Sequence, residues 1–172
     1  MNAEGVNRSI KRMAHEILER NRGCDRVCLL GVHSRGVPMA RRLADNIRDI
    51  EGKTVNCGTL NIIHYRDDID TPEVIPTDEY TNIPFDVKDM HVVIVDDVIF
   101  TGRTARAAME AVIARGRPAT IQLAALVDRG HRELPIKPDY IGKNIPTSKN
   151  EIVSVSFTET DGNDCVELFE KE

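Results

Sequence analysis

Three stretches of the chain carry apolar residues at the spacing of one helical face. These stripes are Ile10, Met13, Ala14, Ile17 and Leu18; Ala40, Leu43, Ala44 and Ile47; and Ala105, Ala108, Met109, Val112 and Ile113. Gly23 follows the first stripe at a position where a helix would end, and Pro38 precedes the second, where its missing N–H is harmless. The spacing therefore predicts three amphipathic helices that pack on a core.

Continuous apolar runs alternate with these helices. Residues 27–32, 92–95 and 121–127 are rich in aliphatic side chains, as expected of strands that are buried on both faces of a parallel sheet. Residues 54–65 predict another strand. The alternation of strand and helix predicts an α/β fold with a central, mostly parallel sheet flanked by helices.

Two polar segments interrupt this alternation. Residues 66–89 are rich in Asp and Glu and contain several prolines, which predicts a long mobile loop or an extended arm. Residues 127–148 are irregular and dense in polar side chains, and we expect residues 128–150 to form a small hood. Apolar and polar residues then alternate over 153–157, and a turn at Asp161-Gly162-Asn163 leads into another run, which predicts an antiparallel pair at the sheet edge.

Composition sets the broad class of protein. A chain of 172 residues, with 41% hydrophobic and 30% charged residues, suits a single globular domain. We therefore expect residues 1–172 to form one unit that includes the hood and the C-terminal strands. No apolar run approaches membrane-spanning length, and residues 1–8 lack the hydrophobic segment of a signal peptide, so we expect a cytoplasmic protein with no membrane partner.

Charge and cysteine content narrow the chemistry further. The net charge of -5 argues against a uniformly basic nucleic-acid binder and leaves local patches to be considered. The four cysteines, Cys24, Cys28, Cys57 and Cys165, do not have the spacing of a metal site. We expect them to be small buried or half-buried hydrophobic residues in a reducing compartment.

The strongest candidate for a functional site follows the apolar run 92–95. Asp96 and Asp97 stand where that strand should end, and Thr101, Gly102 and Thr104 follow immediately before the third helix. Backbone N–H groups and hydroxyls of such a loop can surround a phosphate, with the positive end of the helix directed at it. The alternative is a strand end followed by an ordinary capped turn. The strict order of carboxylates, loop and helix favours a site for a sugar phosphate.

A second loop of the same kind lies at residues 31–36. Ser34, Arg35 and Gly36 follow a buried strand and precede a helix, so N–H groups, a hydroxyl and a guanidinium can meet an anion such as pyrophosphate. A plain strand-to-helix turn is the alternative here too. Because parallel strands end at the same edge of a sheet, the two loops should lie together.

These motifs closely resemble those of the type I phosphoribosyltransferases, which use phosphoribosyl pyrophosphate (PRPP). The resemblance implies that Asp96 and Asp97 bind the ribose hydroxyls and, with Arg35, act in catalysis. It assigns the remaining PRPP contacts to Ser34, Gly36, Val98, Ile99, Phe100, Thr101, Gly102, Arg103 and Thr104. It also implies a lid over the substrate that includes Tyr65, Arg66, Asp67 and Asp68, and a base-binding hood that includes Val127, Asp128, Arg129 and Gly130.

The hood and lid sequences resemble one subgroup of that family more closely, from about Ser9 to the C-terminus. Its members convert uracil and PRPP to UMP and pyrophosphate, and they bind the leader mRNA of pyrimidine operons in a UMP-dependent manner to promote transcription attenuation. The resemblance implies uracil, PRPP and UMP or UTP as ligands, Mg²⁺ bound through PRPP without a dedicated protein site, and a homodimer or higher homo-oligomer. A purine or orotate phosphoribosyltransferase is one alternative, and a PRPP or nucleotide sensor with little catalysis is another.

Basic residues also lie along one face of the predicted first helix. They are Arg8, Lys11, Arg12 and His15, opposite its apolar stripe. A solvated helix face is the usual explanation for so short a stripe. Because members of the subgroup bind RNA, the resemblance makes this face the candidate RNA site, and His131, Arg132 and Lys143 of the hood are candidates for further contacts.

Overall fold

A computed structural model describes residues 1–67 and 81–171. The strands of its main sheet are β1 (Val27–Val32), β2 (Asn56–Leu60), β3 (His91–Ile99), β4 (Thr120–Asp128) and β5 (Tyr140–Asn144). The helices are α1 (Ala3–Asn21), α2 (Gly36–Glu51), α3 (Arg103–Arg115) and the short α4 (Thr158–Asp161), with a 3-10 helix at Ile63–Tyr65. The sheet is parallel in the order β2-β1-β3-β4-β5, which confirms the predicted α/β fold.

Helices cover both faces of this sheet. Alternate residues of β3 point to opposite sides, so that Val93 and Val95 join one core cluster while Val92 and Ile94 join the other. The apolar stripes of α1 and α2 fill the first cluster, and the alanines of α3 fill the second. This explains why the central strands are continuous apolar runs.

Two of the predicted elements need correction. The strand predicted over 54–65 ends at Leu60, because the Asn61 side chain accepts a hydrogen bond from the N–H of Ile63 and turns the chain into the 3-10 helix. Ile113, placed on the core face of α3, is 62% exposed. The buried face of α3 instead includes Ala107 and Ala111, so it is rotated around the helix relative to the stripe predicted from the sequence.

The hood is not irregular throughout. Residues Tyr140–Asn144 form β5 and pair in parallel with β4. A Cβ atom at Gly142 would lie 2.5 Å from the carbonyl oxygen of Leu126, so this glycine permits the close approach of the two strands. Only Tyr140 and Ile141 of this short strand favour a strand, whereas its Gly, Lys and Asn do not, which is why its sequence does not reveal it.

The C-terminal strands pair antiparallel, as predicted. They are β6 (Glu151–Ser156) and β7 (Cys165–Glu170), and they form a separate two-stranded sheet rather than extending the main one. Phe157, which follows β6, is fully buried in the cluster under α1 and α2. The pair is therefore anchored on the helical layer.

Two further expectations concern segments and side chains away from the sheet. Most of the acidic stretch predicted to be mobile, residues 68–80, lies outside the described residues, and its end, 81–89, contains only an isolated bridge between Asn82 and Thr59. All four cysteines are free and are buried or half-buried, as predicted.

The described helices include none that is both long and apolar enough to cross a membrane.

Candidate active site

The two predicted anion-binding loops lie next to each other. β1 and β3 are neighbours in the sheet, with Gly31 in register with Val95, so the loops that follow them open on the same edge. Two cavities of about 390 and 370 Å³ occupy this edge, and both are lined by Asp96, Val98, Thr104 and Arg66. They therefore form two halves of one site that meets at the end of β3.

The first half is the loop that leads into α3. Residues 98–105 line it, and Gly102 adopts the left-handed conformation, with φ 94°, at the N-cap of the helix. The Thr101 hydroxyl accepts a hydrogen bond of 3.3 Å from the N–H of Arg103. The N-terminus of α3 therefore lies at the cavity, and a helix N-terminus suits a phosphate.

The second half is the loop that leads into α2. Val32, His33, Ser34 and Arg35 line it, and the peptide bond between His33 and Ser34 is cis. A Cβ atom at Gly36 would lie only 2.3 Å from the carbonyl oxygen of Val95. Glycine thus allows the N-terminus of α2 to touch the end of β3 and brings the two loops together.

The two adjacent carboxylates lie between these halves. The N–H of Asp97 donates a hydrogen bond of 3.0 Å to Oδ1 of Asp96. Burial, together with the charge of Asp97, raises the pKa of Asp96 well above its usual value. Burial also raises the pKa of Asp97, while hydrogen bonds and the charge of Arg35 act in the opposite direction. Hydroxyl groups of a ligand can therefore replace lost hydration at these oxygens.

The stem of the predicted lid is attached to α3. Arg103 binds the carboxylate of Asp67 at 2.9 Å, and Arg106 donates to the carbonyl oxygen of Tyr65. Arg66 lines both halves of the site, and its charge opposes the raised pKa of Asp96. Asp68, the last lid residue predicted, lies outside the described residues.

The hood residues predicted to bind a base do not line the larger cavity, and one of them, Arg129, packs against Phe100, which does. The guanidinium of Arg129 stacks at 4.0 Å from the Phe100 ring centroid and is held by the carbonyl oxygens of Ser148 and Glu151. Val127 is buried at the end of β4, and Asp128 accepts hydrogen bonds from the Gly130 N–H and from Arg132. Among the described residues, the larger cavity is lined by Phe100 and Glu133 but not by residues 127–130.

Two acidic residues at the site had no sequence signal. Glu133 lines the larger cavity and binds Arg103 at 2.8 Å. Asp161, in α4, binds Nη2 of Arg35 at 3.0 Å. The first lies in a polar stretch with many candidates, and the second lies in a turn far along the chain, so only the tertiary structure brings them to the loops.

The seven candidate RNA contacts separate into two groups. Arg8, Arg12 and Lys143 line a groove of about 450 Å³ between α1 and β5, and Lys11 and His15 are exposed on the same helix. His131 and Arg132 instead lie beside the active site. His131 binds the carbonyl oxygen of Thr147, and its ring centroid lies 6.1 Å from that of Phe100.

Part of the basic helix face is already engaged. Arg8 pairs with Glu4 at 3.0 Å, and Arg12 pairs with Glu16 while donating to the carbonyl oxygens of Ile141 and Gly142. No hydrogen bond or ion pair joins Lys11, His15 or Lys143 to another of the described side chains. Lys11 and Lys143 are therefore the cations of this region most available to a partner, and His15 is exposed on the same helix as Lys11.

Known proteins identify the class to which this fold and site belong. Residues 2–160 match the family described as Phosphoribosyl transferase domain, so the chain belongs to the phosphoribosyltransferases. The hypoxanthine phosphoribosyltransferase of Trypanosoma cruzi has a similar structure, with a TM-score of 0.74 over 100% of this chain and 95% of that one. Their sequence identity of 20% makes this a likeness of fold alone.

Closer relatives define the subgroup. The Bifunctional protein PyrR of Deinococcus radiodurans is 52% identical over 100% of this chain and 94% of its own length. The Bifunctional protein PyrR of Thermus aquaticus is 54% identical over 100% of this chain and 95% of its own length. The chain is therefore a member of the PyrR family, which confirms the subgroup inferred from the sequence.

Proposed function

We propose that this protein is a uracil phosphoribosyltransferase that joins uracil to PRPP and releases UMP and pyrophosphate. The observation that carries the proposal is the meeting of the two anion loops at Asp96 and Asp97. One loop fits the 5-phosphate, the other fits the pyrophosphate, and the carboxylates lie where a ribose would join them. The phosphoribosyl transferase domain matched by residues 2–160 and the likeness to the PyrR proteins agree with this proposal.

The reaction replaces one bond at the anomeric carbon of the ribose. The bond from that carbon to pyrophosphate breaks, a bond to N1 of uracil forms, and N1 loses its proton. Asp96 and Asp97 accept hydrogen bonds from the ribose hydroxyls, and their negative charge stabilises the positive charge that develops on the sugar. Arg35 neutralises the departing pyrophosphate. A lid attached to Arg103 and Arg106 excludes water, which would otherwise hydrolyse the activated sugar.

The site has suitable ligands for Mg²⁺, which this family generally uses with PRPP. Carboxylate oxygens are hard ligands, and Asp96 and Asp97 present them to the cavity. Within the described ranges, no group of three or more His, Cys, Asp or Glu side chains is arranged to hold a metal ion. We propose that Mg²⁺ binds mainly through the oxygens of PRPP and pyrophosphate, with these two carboxylates nearby.

A PRPP-dependent assay for UMP formation in the presence of Mg²⁺ tests the enzymatic proposal. Uracil, hypoxanthine, guanine and orotate are offered separately and in competition, and only uracil is expected to give a nucleotide. Product from a purine or from orotate would assign the protein to another branch of the family. Retained UMP binding without any UMP formation would instead favour a nucleotide sensor.

The second half of the proposal is regulation of a pyrimidine operon through its leader mRNA. The groove between α1 and β5 is lined by Arg8, Arg12 and Lys143, and Lys11 and His15 are exposed on the same helix, on a protein whose net charge is -5. Cations gathered on one surface of an acidic protein can bind RNA phosphates, while loop bases provide specificity. UMP binding shifts the protein towards the RNA-binding state, which links pyrimidine supply to transcription attenuation in the cytoplasm.

We further propose that the protein acts as a homo-oligomer. Exposed apolar side chains support this, because Ile152 and Phe169 face each other across the C-terminal strands and are 45% and 50% exposed. A dimer or tetramer would cover such a surface. Sedimentation at micromolar concentration tests the assembly, and a monomer at every concentration would contradict it.

A further inference from the structure

The C-terminal turn reaches the active site through one ion pair. Oδ1 of Asp161 accepts a hydrogen bond of 3.0 Å from Nη2 of Arg35. Arg35 stands at the N-cap of α2 and lines the half of the site that we assign to pyrophosphate. A residue of α4, more than a hundred positions along the chain, therefore contacts this guanidinium.

Asp161 is itself held in place. Its second oxygen accepts hydrogen bonds from the N–H of Phe157, at 3.0 Å, and from the hydroxyl of Thr160, at 2.7 Å. Phe157 is fully buried, so the turn is tied to the core. The Arg35 side chain is the more exposed partner, at 40% against 23% for Asp161.

A second arginine fixes the same turn on α2. Arg42 lies two helical turns after Arg35, on the same face of the helix. It binds Glu159 at 2.6 Å and Asp164 at 2.7 Å, and its guanidinium stacks 5.1 Å from the ring centroid of Phe157. Arg42 thus anchors the turn on α2, and Asp161 joins the turn to Arg35 at the site.

We infer that Asp161 is a positioning residue for pyrophosphate binding, which holds Arg35 with its unused donors directed at the site. This inference rests on the proposed function. The ion pair occupies Nη2, and Nε of Arg35 is buried and has no hydrogen-bond partner among the described residues. An arginine that is already oriented loses less side-chain entropy when pyrophosphate binds. The opposite role, competition with pyrophosphate for Arg35, would make Asp161 inhibitory.

The substitution Asp161→Asn separates these roles. Its amide oxygen can keep the hydrogen bonds to Phe157 and Thr160, while its NH₂ group no longer attracts Arg35. We expect the KM for PRPP and the inhibition constant of pyrophosphate to rise together, by roughly 5 to 20-fold, as expected when one charge-assisted hydrogen bond is lost. The KM for uracil and the kcat at saturating PRPP should change little. A purely structural role would not restrict the effect to these two ligands.

Glu159→Gln is the matched control, because it loses a bond of the same turn to Arg42 and none to Arg35. It should keep wild-type kinetics. In an Arg35→Ala background, Asp161→Asn should have no further effect on PRPP, and thermal unfolding must show that each variant is folded.

An unchanged KM for PRPP in folded Asp161→Asn would overturn the positioning role, and a lower KM would replace it with competition. Persistence of the effect in the Arg35→Ala background would also overturn it. Failure of the proposed function is a separate result, since the wild-type protein itself would then form no UMP.

Discussion

The N–H of Asp97 donates a hydrogen bond to the carboxylate of Asp96, its neighbour in the chain, over 3.0 Å. The two carboxylates are buried next to each other, and this backbone N–H gives one of them a hydrogen-bond donor. Burial raises the pKa of both groups, and the charge of Asp97 adds to the effect on Asp96. The protein therefore maintains two carboxylates at a cost in stability, as expected where a ligand provides the missing hydrogen bonds.

The first prediction is that Asp96→Asn stabilises the folded protein at neutral pH. The folded pKa of Asp96 lies above its unfolded value, so folding favours the protonated acid and loses this advantage as the pH rises through the folded pKa. Asparagine resembles the protonated acid at every pH. We expect the melting temperature at pH 7 to rise by roughly 2–4 °C, the effect of about 1 kcal/mol in a domain of this size.

The same comparison at pH 3 provides the control. Below the unfolded pKa the wild-type acid is protonated in both states, so the difference between variant and wild type should disappear. Scanning calorimetry at both pH values measures the difference in melting temperature between the variant and the wild type. A variant that is less stable at pH 7 would show that the carboxylate is compensated by contacts we have not recognised.

The second prediction is that Asp97→Asn lowers turnover far more than it lowers stability. The carboxylate of Asp97 lines the half of the site next to Arg35, and its charge can stabilise a positive charge that exists only in the transition state. Asparagine keeps the shape but removes that charge. We expect kcat to fall roughly 10² to 10³-fold, measured by UMP formation at saturating PRPP. Near-normal turnover in a folded variant would refute the assigned role.

A third prediction concerns the contact that joins the two loops. Gly36→Ala places a Cβ atom 2.3 Å from the carbonyl oxygen of Val95, and neither backbone can move without displacing α2 or β3. We expect a loss of roughly 1–3 kcal/mol in unfolding free energy, as for an overpacked core, and weaker binding of PRPP. Denaturant unfolding and titration with PRPP measure the two effects.

Gly5→Ala is the control for that substitution. Gly5 also lies in a helix, but the nearest atom to an added Cβ is the flexible side chain of Met1, at 2.7 Å. This variant should unfold at or above the wild-type denaturant concentration, because alanine favours a helix. Equal losses from both substitutions would show that close packing at Gly36 is not the cause.

The central strands and the two anion loops could be predicted because each is encoded by adjacent residues. A buried apolar run ends in Asp96 and Asp97, and a glycine-containing loop and a helix follow without interruption. Parallel pairing of β1 with β3 then brings the loops to one edge. Local order and one general rule of parallel sheets were sufficient for this part of the site.

The remaining features depend on contacts between distant segments. β5 was hidden because Gly142 and its polar neighbours have weak strand propensity, and pairing with β4 overrides that preference. The link from Asp161 to Arg35 likewise requires the C-terminal turn to fold back on α2. In the sequence, nothing distinguishes Asp161 from an ordinary turn residue or Gly142 from an ordinary loop glycine.

The last prediction concerns RNA. Arg12 is a poor probe of the helix face, because its guanidinium holds the carbonyl oxygens of Ile141 and Gly142 and its loss would disturb α1 against β5. Lys11 and Lys143 are exposed. The double variant Lys11→Ala with Lys143→Ala should weaken binding of a pyrimidine-operon leader RNA and leave UMP formation intact.

Salt dependence identifies the physical cause of that weakening. Each lost phosphate contact should make the slope of log affinity against log salt shallower by roughly 0.7 to 0.9. The slope of the double variant should therefore be shallower by about twice that amount. Lys88→Ala with Arg117→Ala removes the same charge from two exposed residues at the opposite end of the sheet, next to the start of β3. This control should bind RNA with the wild-type slope, whereas equal weakening in both variants would reduce the effect to net charge. Unchanged affinity in the Lys11 and Lys143 variant would place the RNA site elsewhere on the protein.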